Sequence, residues 1–344
     1  MTLTLRAAAL AALMIAPLPG AAQTADLPGY DRLDVQAAHR ARPIAASIWY
    51  PAAGPTFVAP VGDNALFEGR PAYMGAAMAE GKFPLILLSH GSGGNMDGAA
   101  WLSAELAQRG AVVLAVNHQG STSGDSSPRR TLYLGTRAAD LSAALDQVMN
   151  NPEFSAHIDP DRITSVGFSL GGTTVLGLAG MRFDPKGMGN ACKESEDPVR
   201  GCNFYQNAKV NMADLPEDFG ADARDTRIGA TIAIDPGFTQ AAREDSLSLI
   251  SDPVLLINLG AADTLWNMVD VGPNGTDLAA RLPNATRNVI APADHYGFLM
   301  NCKPGAAEIL AEENDDPICD DPQGADRKQI HQQIIDQIAD FVNL

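Results

Sequence analysis

Beyond its N-terminal segment, the chain has no apolar run of the roughly 20 residues needed to cross a bilayer, so nothing there reads as a membrane span. Basic residues are scarce: 24 Lys and Arg stand against 41 Asp and Glu, a net charge of -17. A field of that sign repels phosphate backbones and anionic lipid, which argues against nucleic-acid partners and electrostatic membrane docking. No Gly-Lys-Ser/Thr follows the glycine-rich stretch Ser89–Gly94, so that stretch does not read as a phosphate loop. Cysteine is sparse as well. Cys192, Cys202, Cys302 and Cys319 all lie in the second half, at spacings unlike those of zinc ligands, and no metal site is expected. Internal repeats are absent.

What is present begins with an exported chain's leader. Arg6 precedes an apolar run, Ala7–Ala16, which Pro17 and Pro19 break before the small residues Gly20, Ala21 and Ala22. That layout predicts a signal peptide over residues 1–22, cleaved after Ala22, and a periplasmic or secreted product. No cysteine follows that would carry a lipid anchor. In an oxidising compartment an even cysteine count invites disulfides, and sequence-local pairing is expected: Cys192 with Cys202, and Cys302 with Cys319.

The remaining residues, 23–344, read as one α/β domain with 46% hydrophobic residues in the whole chain to build its core. Short apolar runs (Phe83–Gly91, Ala111–Gly120, Arg162–Ser169, Ile228–Pro236, Asp252–Gly260, Thr286–Pro292) alternate with stretches of helical periodicity. Those stretches are Gly98–Gly110, Thr136–Asn150, Leu170–Gly180 and Arg327–Val342. Continuous apolar strands joined by helices imply a mostly parallel sheet covered on both faces. Asp26–Lys82 reads as leading strands and loops, and the polar segment 182–227 as a disulfide-containing insertion, a lid or flap.

In such sheets chemistry gathers beyond the carboxyl ends of the strands. There the sequence GFSLG matches Gly-x-Ser-x-Gly, between a strand-like run and a helix-like one. A serine hydroxyl needs a base to become a nucleophile. Of six histidines, His295 follows the last strand, in the chain order Ser…Asp…His. Two aspartates end strands and compete to orient it: Asp263, the preferred candidate, and Asp235, the alternative. Two backbone donors are needed for an oxyanion. Leu170 N–H follows the serine, and Ser92 N–H in SHGSGG is the expected second donor.

Together the motifs WYPA, LSHGSGG, AVNHQGS, GFSLGG, AIDPGF, GAADT and DHYGFL, spanning Trp49–Leu299, resemble those of serine α/β-hydrolases. Within them the resemblance is to the dienelactone-hydrolase-like and platelet-activating-factor acetylhydrolase-like group. It implies the α/β-hydrolase fold and ester hydrolysis by Ser169 and His295 without metal or organic cofactor, on a small-molecule or lipid ester. It leaves the acid divided: the acetylhydrolases place theirs where Asp235 falls, and dienelactone hydrolases where Asp263 falls. Dienelactone hydrolases proper are cytosolic and use cysteine where this chain has Ser169. Other readings of the same site are a lipase or phospholipid acetylhydrolase, a peptidase, and a catalytically silent binding protein.

Overall fold

The computed structural model describes residues 25–194, 202–212, 214–261 and 263–344. The expected signal peptide lies outside the described residues. Ten strands form one sheet: β1 (Gly29–Val35), β2 (Ile44–Tyr50), β3 (Val58–Val61), β4 (Arg70–Met74), β5 (Phe83–Ser89), β6 (Val112–Val116), β7 (Ile158–Phe168), β8 (Ala230–Ile234), β9 (Val254–Leu259) and β10 (Ala285–Ile290). Their order is β10-β9-β8-β7-β5-β6-β2-β1-β4-β3. From β10 to β6 every pairing is parallel; β2 joins β6 antiparallel and carries the leading strands.

The apolar runs become strands because both faces of the sheet are buried. Along β5, Leu85 and Leu87 enter one core cluster while Ile86 and Leu88 enter the other, the period-2 alternation of a pleated strand. On the first face the sheet meets α2 (Leu134–Asn150) and α3 (Leu170–Leu178), through residues such as Leu141, Leu145, Val175 and Leu176. On the second it meets α1 (Ala100–Gln108) and the C-terminal helix α6 (Arg327–Val342). Ile330, Ile334 and Ile338 recur every four residues on α6 and are all buried, each burial contributing about 1.5–3 kcal/mol. Asp326 caps that helix by accepting the Lys328 and Gln329 N–H groups.

The insertion contains two short helices, α4 (Pro185–Glu194) and α5 (Cys202–Asn207), joined by the Cys192–Cys202 disulfide. Its Met188, Tyr205, Met212 and Phe219 are buried in the first cluster, which anchors it to the body. Cys302–Cys319 is the second disulfide, so both cysteine pairings are the local ones expected.

Candidate active site

Ser169 stands between the end of β7 and the first residue of α3, with φ 55° and ψ −120°. A positive φ strains a residue with a Cβ, and such strain collects at functional turns. Surrounding contacts hold it: the Ser169 N–H donates to Ile234 O at 2.9 Å, tying the turn to the end of β8. The crossing is so close that only glycine fits beside the serine. A Cβ on Gly167 would sit 2.1 Å from Gly171 O, and one on Gly171 would sit 2.0 Å from Ser89 O.

His295 opens the tight helical turn His295–Phe298 after β10, and Asp294 fixes that turn by accepting the Tyr296 and Gly297 N–H groups. Its Nε2 lies 3.0 Å from Ser169 Oγ and its Nδ1 2.9 Å from Asp235 Oδ2. A carboxylate only accepts, so the Nδ1 carries the proton and Nε2 faces the serine hydroxyl as an acceptor. The ring packs against Phe168 and Trp266, with centroids 4.6 and 4.4 Å away.

The aspartate at His295 is therefore Asp235, and the preference for Asp263 is corrected. β8 is the sheet neighbour of the nucleophile strand, and Asp235 is the first residue past it. Asp235 is fully buried; its Oδ1 accepts Asn258 Nδ2–H at 3.0 Å and Leu259 N–H at 2.9 Å, leaving Oδ2 for the imidazole. Asp263 lies one strand further out, on an exposed turn beyond Gly260. Asn258 is the residue sequence reading missed: it braces Asp235, donates to Val269 O and accepts from Arg287 Nε. The available signal was a lone amide inside the apolar run VLLINL, because a buried polar group needs partners.

The loop after β5 passes directly over the serine. A Cβ on Gly91 would lie 3.2 Å from Ser169 Cβ. Ser92 and Ser169 line the same cavity, and Leu170 N–H starts a helix, with no carbonyl four residues back inside it. His90 fixes the loop from below. Its Nδ1–H donates to Gly91 O at 2.7 Å, and its Nε2 accepts His118 N–H at 3.2 Å. Both partners admit one role only, so His90 is neutral with its proton on Nδ1. Burial, with the nearby Arg137 charge, holds it well below the ordinary histidine pKa. His118, two residues past β6, is likewise pushed down to about 4, chiefly by burial. His331 is also pushed down to about 4 by burial; it stacks on Trp101 at 3.7 Å and bonds Leu299 O.

The cavity above Ser169 has a volume of about 590 Å³. Apolar walls come from Phe67, Phe168, Phe298, Leu299, Met300 and Ile318. The segment carrying Asp315, Asp316 and Ile318 is closed onto Cys302 by the second disulfide. Residues 66–68 are stitched to 301–303 by backbone bonds, so the chain's leading and trailing parts build one wall. From the insertion, Phe204 reaches the cavity.

A serine on a strained turn between a parallel strand and a helix, with histidine and aspartate supplied by later strand ends, is the arrangement of the alpha/beta hydrolases. The chain has that fold. A family model described as the alpha/beta hydrolase fold matches residues 84–189. Over 103 residues the chain is 33% identical to a cutinase, est1, of Thermobifida alba, a match covering 29% of this chain and 32%, about a third, of that protein. Among solved structures, a ferulic acid esterase from Streptomyces cinnamoneus aligns over 94% of this chain and 91% of its own, with a TM-score of 0.61 at 18% identity. A dienelactone hydrolase from Anabaena variabilis aligns more loosely, with a TM-score of 0.45 at 14% identity over 83% and 95% of the two chains.

Proposed function

We propose that the protein is an exported serine hydrolase that cleaves carboxylic esters through an acyl-enzyme. The hydrogen-bonded chain Ser169–His295–Asp235, opening into a cavity at the strand ends, carries the reading. Ser169 Oγ attacks the ester carbonyl as His295 Nε2 takes its proton. Asp235 holds the ring in the required tautomer and stabilises the imidazolium. The Leu170 and Ser92 N–H groups receive the developing oxyanion, and the N-terminus of α3 adds its favourable dipole. His295 then protonates the departing alcohol. Water, activated by the same base, attacks the acyl-enzyme, expels Ser169 and releases the acid. Every step balances with protein groups and water alone.

The cavity's size is that of small-ligand sites, and its aromatic and aliphatic walls suit a neutral, apolar ester. Asp315 and Asp316 on one wall disfavour anionic substrates through like-charge repulsion. The names of the cutinase and the ferulic acid esterase are consistent with ester chemistry. The two disulfides and the N-terminal leader support export.

A panel of p-nitrophenyl esters of graded acyl length, run on wild type and Ser169→Ala, tests the reading. Turnover is expected in wild type and lost in the variant, and a fluorophosphonate is expected to label Ser169. Unchanged hydrolysis in Ser169→Ala, or a folded protein that neither turns over nor labels, would overturn it.

A further inference from the structure

A second hydrogen-bonded Ser–His–Asp series lies beneath the first. Ser89 Oγ is 2.9 Å from His118 Nε2, and His118 Nδ1 is 2.9 Å from Asp140 Oδ2. All three residues are wholly buried, so no substrate reaches them. Asp140 also accepts from Arg40 at 2.6 and 2.7 Å. With His118 Nδ1 protonated toward that carboxylate, Ser89 donates to Nε2, and its oxygen is left free to accept.

What it accepts is Arg137. This guanidinium, also buried on α2, donates to Ser89 Oγ at 3.2 Å, to His90 O at 2.6 Å, to Thr174 Oγ1 at 2.9 Å and to Ser121 Oγ. Thr174 Oγ1 in turn donates to Leu170 O at 2.9 Å, and Ser121 O accepts Gly93 N–H at 2.9 Å. One planar cation thus bonds the loop His90–Gly94 directly and reaches the first turn of α3 through Thr174, the two segments that supply oxyanion donors on the esterase reading. The chain continues to the donor itself. His90 holds Gly91 O, and a trans peptide directs the Ser92 N–H opposite to that carbonyl.

Simple structural bracing does not require a charge here. Burying a cation is costly, and this one bonds hydroxyls and a carbonyl rather than a carboxylate. Its fixed fork reaches several acceptors at set angles, which a lysine does not reproduce. It also places standing positive charge beneath the site where the reaction gathers negative charge.

We propose that Arg137 is the positioning residue of the oxyanion site, cross-linking the Ser92 loop to the Leu170 turn so that the two N–H donors hold one spacing. The proposal rests on the esterase reading above and extends it to a residue that never touches substrate.

Wild type, Arg137→Lys, Arg137→Met and Thr174→Val are compared on p-nitrophenyl butyrate and in inhibition by phenylboronic acid, whose serine adduct is tetrahedral and places an oxygen in the oxyanion site. Arg137→Lys is expected to lower kcat about tenfold and Arg137→Met about a hundredfold, with KM within about threefold. Thr174→Val, which keeps shape and loses the hydroxyl that joins Arg137 to Leu170, is expected to lower kcat about threefold. In each variant the boronate inhibition constant is expected to rise by the same factor as kcat falls. If Arg137→Met does not fold, Arg137→Lys and Thr174→Val decide. Folded Arg137→Lys and Thr174→Val with wild-type kcat and boronate inhibition, whatever their melting temperatures, overturn the positioning role and leave the esterase reading standing. Wild type without Ser169-dependent turnover overturns both.

Discussion

Replacing Asp235 by Asn changes one atom and is expected to disable the site through the tautomer of His295. Asp235 Oδ1 receives two N–H donors, from Asn258 and Leu259. In Asp235→Asn the amide oxygen must remain there, since an NH₂ group facing two donors leaves all of them unsatisfied. The NH₂ is then forced toward His295 Nδ1, 2.9 Å from the present Oδ2. It donates to Nδ1, the ring proton moves to Nε2, and Ser169 loses its acceptor. Loss of the carboxylate also removes the charge that balances the imidazolium. The combined effect is expected to lower kcat by about 10³- to 10⁴-fold, or about 4–5.5 kcal/mol of transition-state stabilisation. Asp263→Asn, on its exposed turn, is expected to stay within twofold of wild type, roughly the range of a surface change. Steady-state hydrolysis of p-nitrophenyl butyrate, with circular dichroism to verify folding, measures both. A folded Asp235→Asn protein with near-normal kcat, or a crippled Asp263→Asn, refutes the reasoning.

Three other outcomes follow from the packing and the titrating groups. Gly171→Ala places a Cβ 2.0 Å from Ser89 O, and the overpacking is expected to destabilise the protein by about 3 kcal/mol and abolish activity, as read by urea unfolding and ester turnover. His118 and His331 have folded pKa values near 4, lowered first by burial. An unfolded histidine takes its proton near pH 6.5, so stability is full above that pH and falls as pH drops toward 4, by about 3 kcal/mol for His331. Unfolding midpoints that stay flat from pH 7 to 4.5 contradict this. Removing the Cys302–Cys319 bridge by a double serine substitution is expected to cost about 2–4 kcal/mol. KM is expected to rise while the Ser169 chemistry persists, because the bridge holds the wall that carries Ile318.

The parallel half of the sheet was legible because strands buried on both faces are continuous apolar runs, and β5 to β10 fall where those runs fall. The leading strands were recognisable only as extended segments. Their order β2-β1-β4-β3 depends on side-chain and backbone pairing across distant residues, which no local pattern encodes. Ser169 and His295, which stand 3.0 Å apart in the structure, were singled out by glycine geometry and chain order. The aspartate at His295 was not, since AIDPGF and GAADT each place an aspartate just past a strand. The neighbour relation of β8 to β7 and the donors from Asn258 and Leu259 separate them, and these are tertiary facts. Arg137 and Asp140 were hidden for a related reason. On α2 they read as the polar face of an amphipathic helix, and only burial reveals them as internal.

The wall joining residues 66–68 to 301–303 lies wholly outside the stretch, 84–189, that the hydrolase family model recognises. That stretch holds Ser169 and the loop over it, whereas His295, Asp235 and this wall all lie outside it. On the ester-hydrolase reading, a change in substrate preference can accumulate in residues 66–68 and 301–303, which meet only after folding, while the nucleophile turn and its loop stay untouched. Exchanging those two segments together, as a matched set, is the natural unit for redirecting such a scaffold; exchanging either alone leaves half a wall.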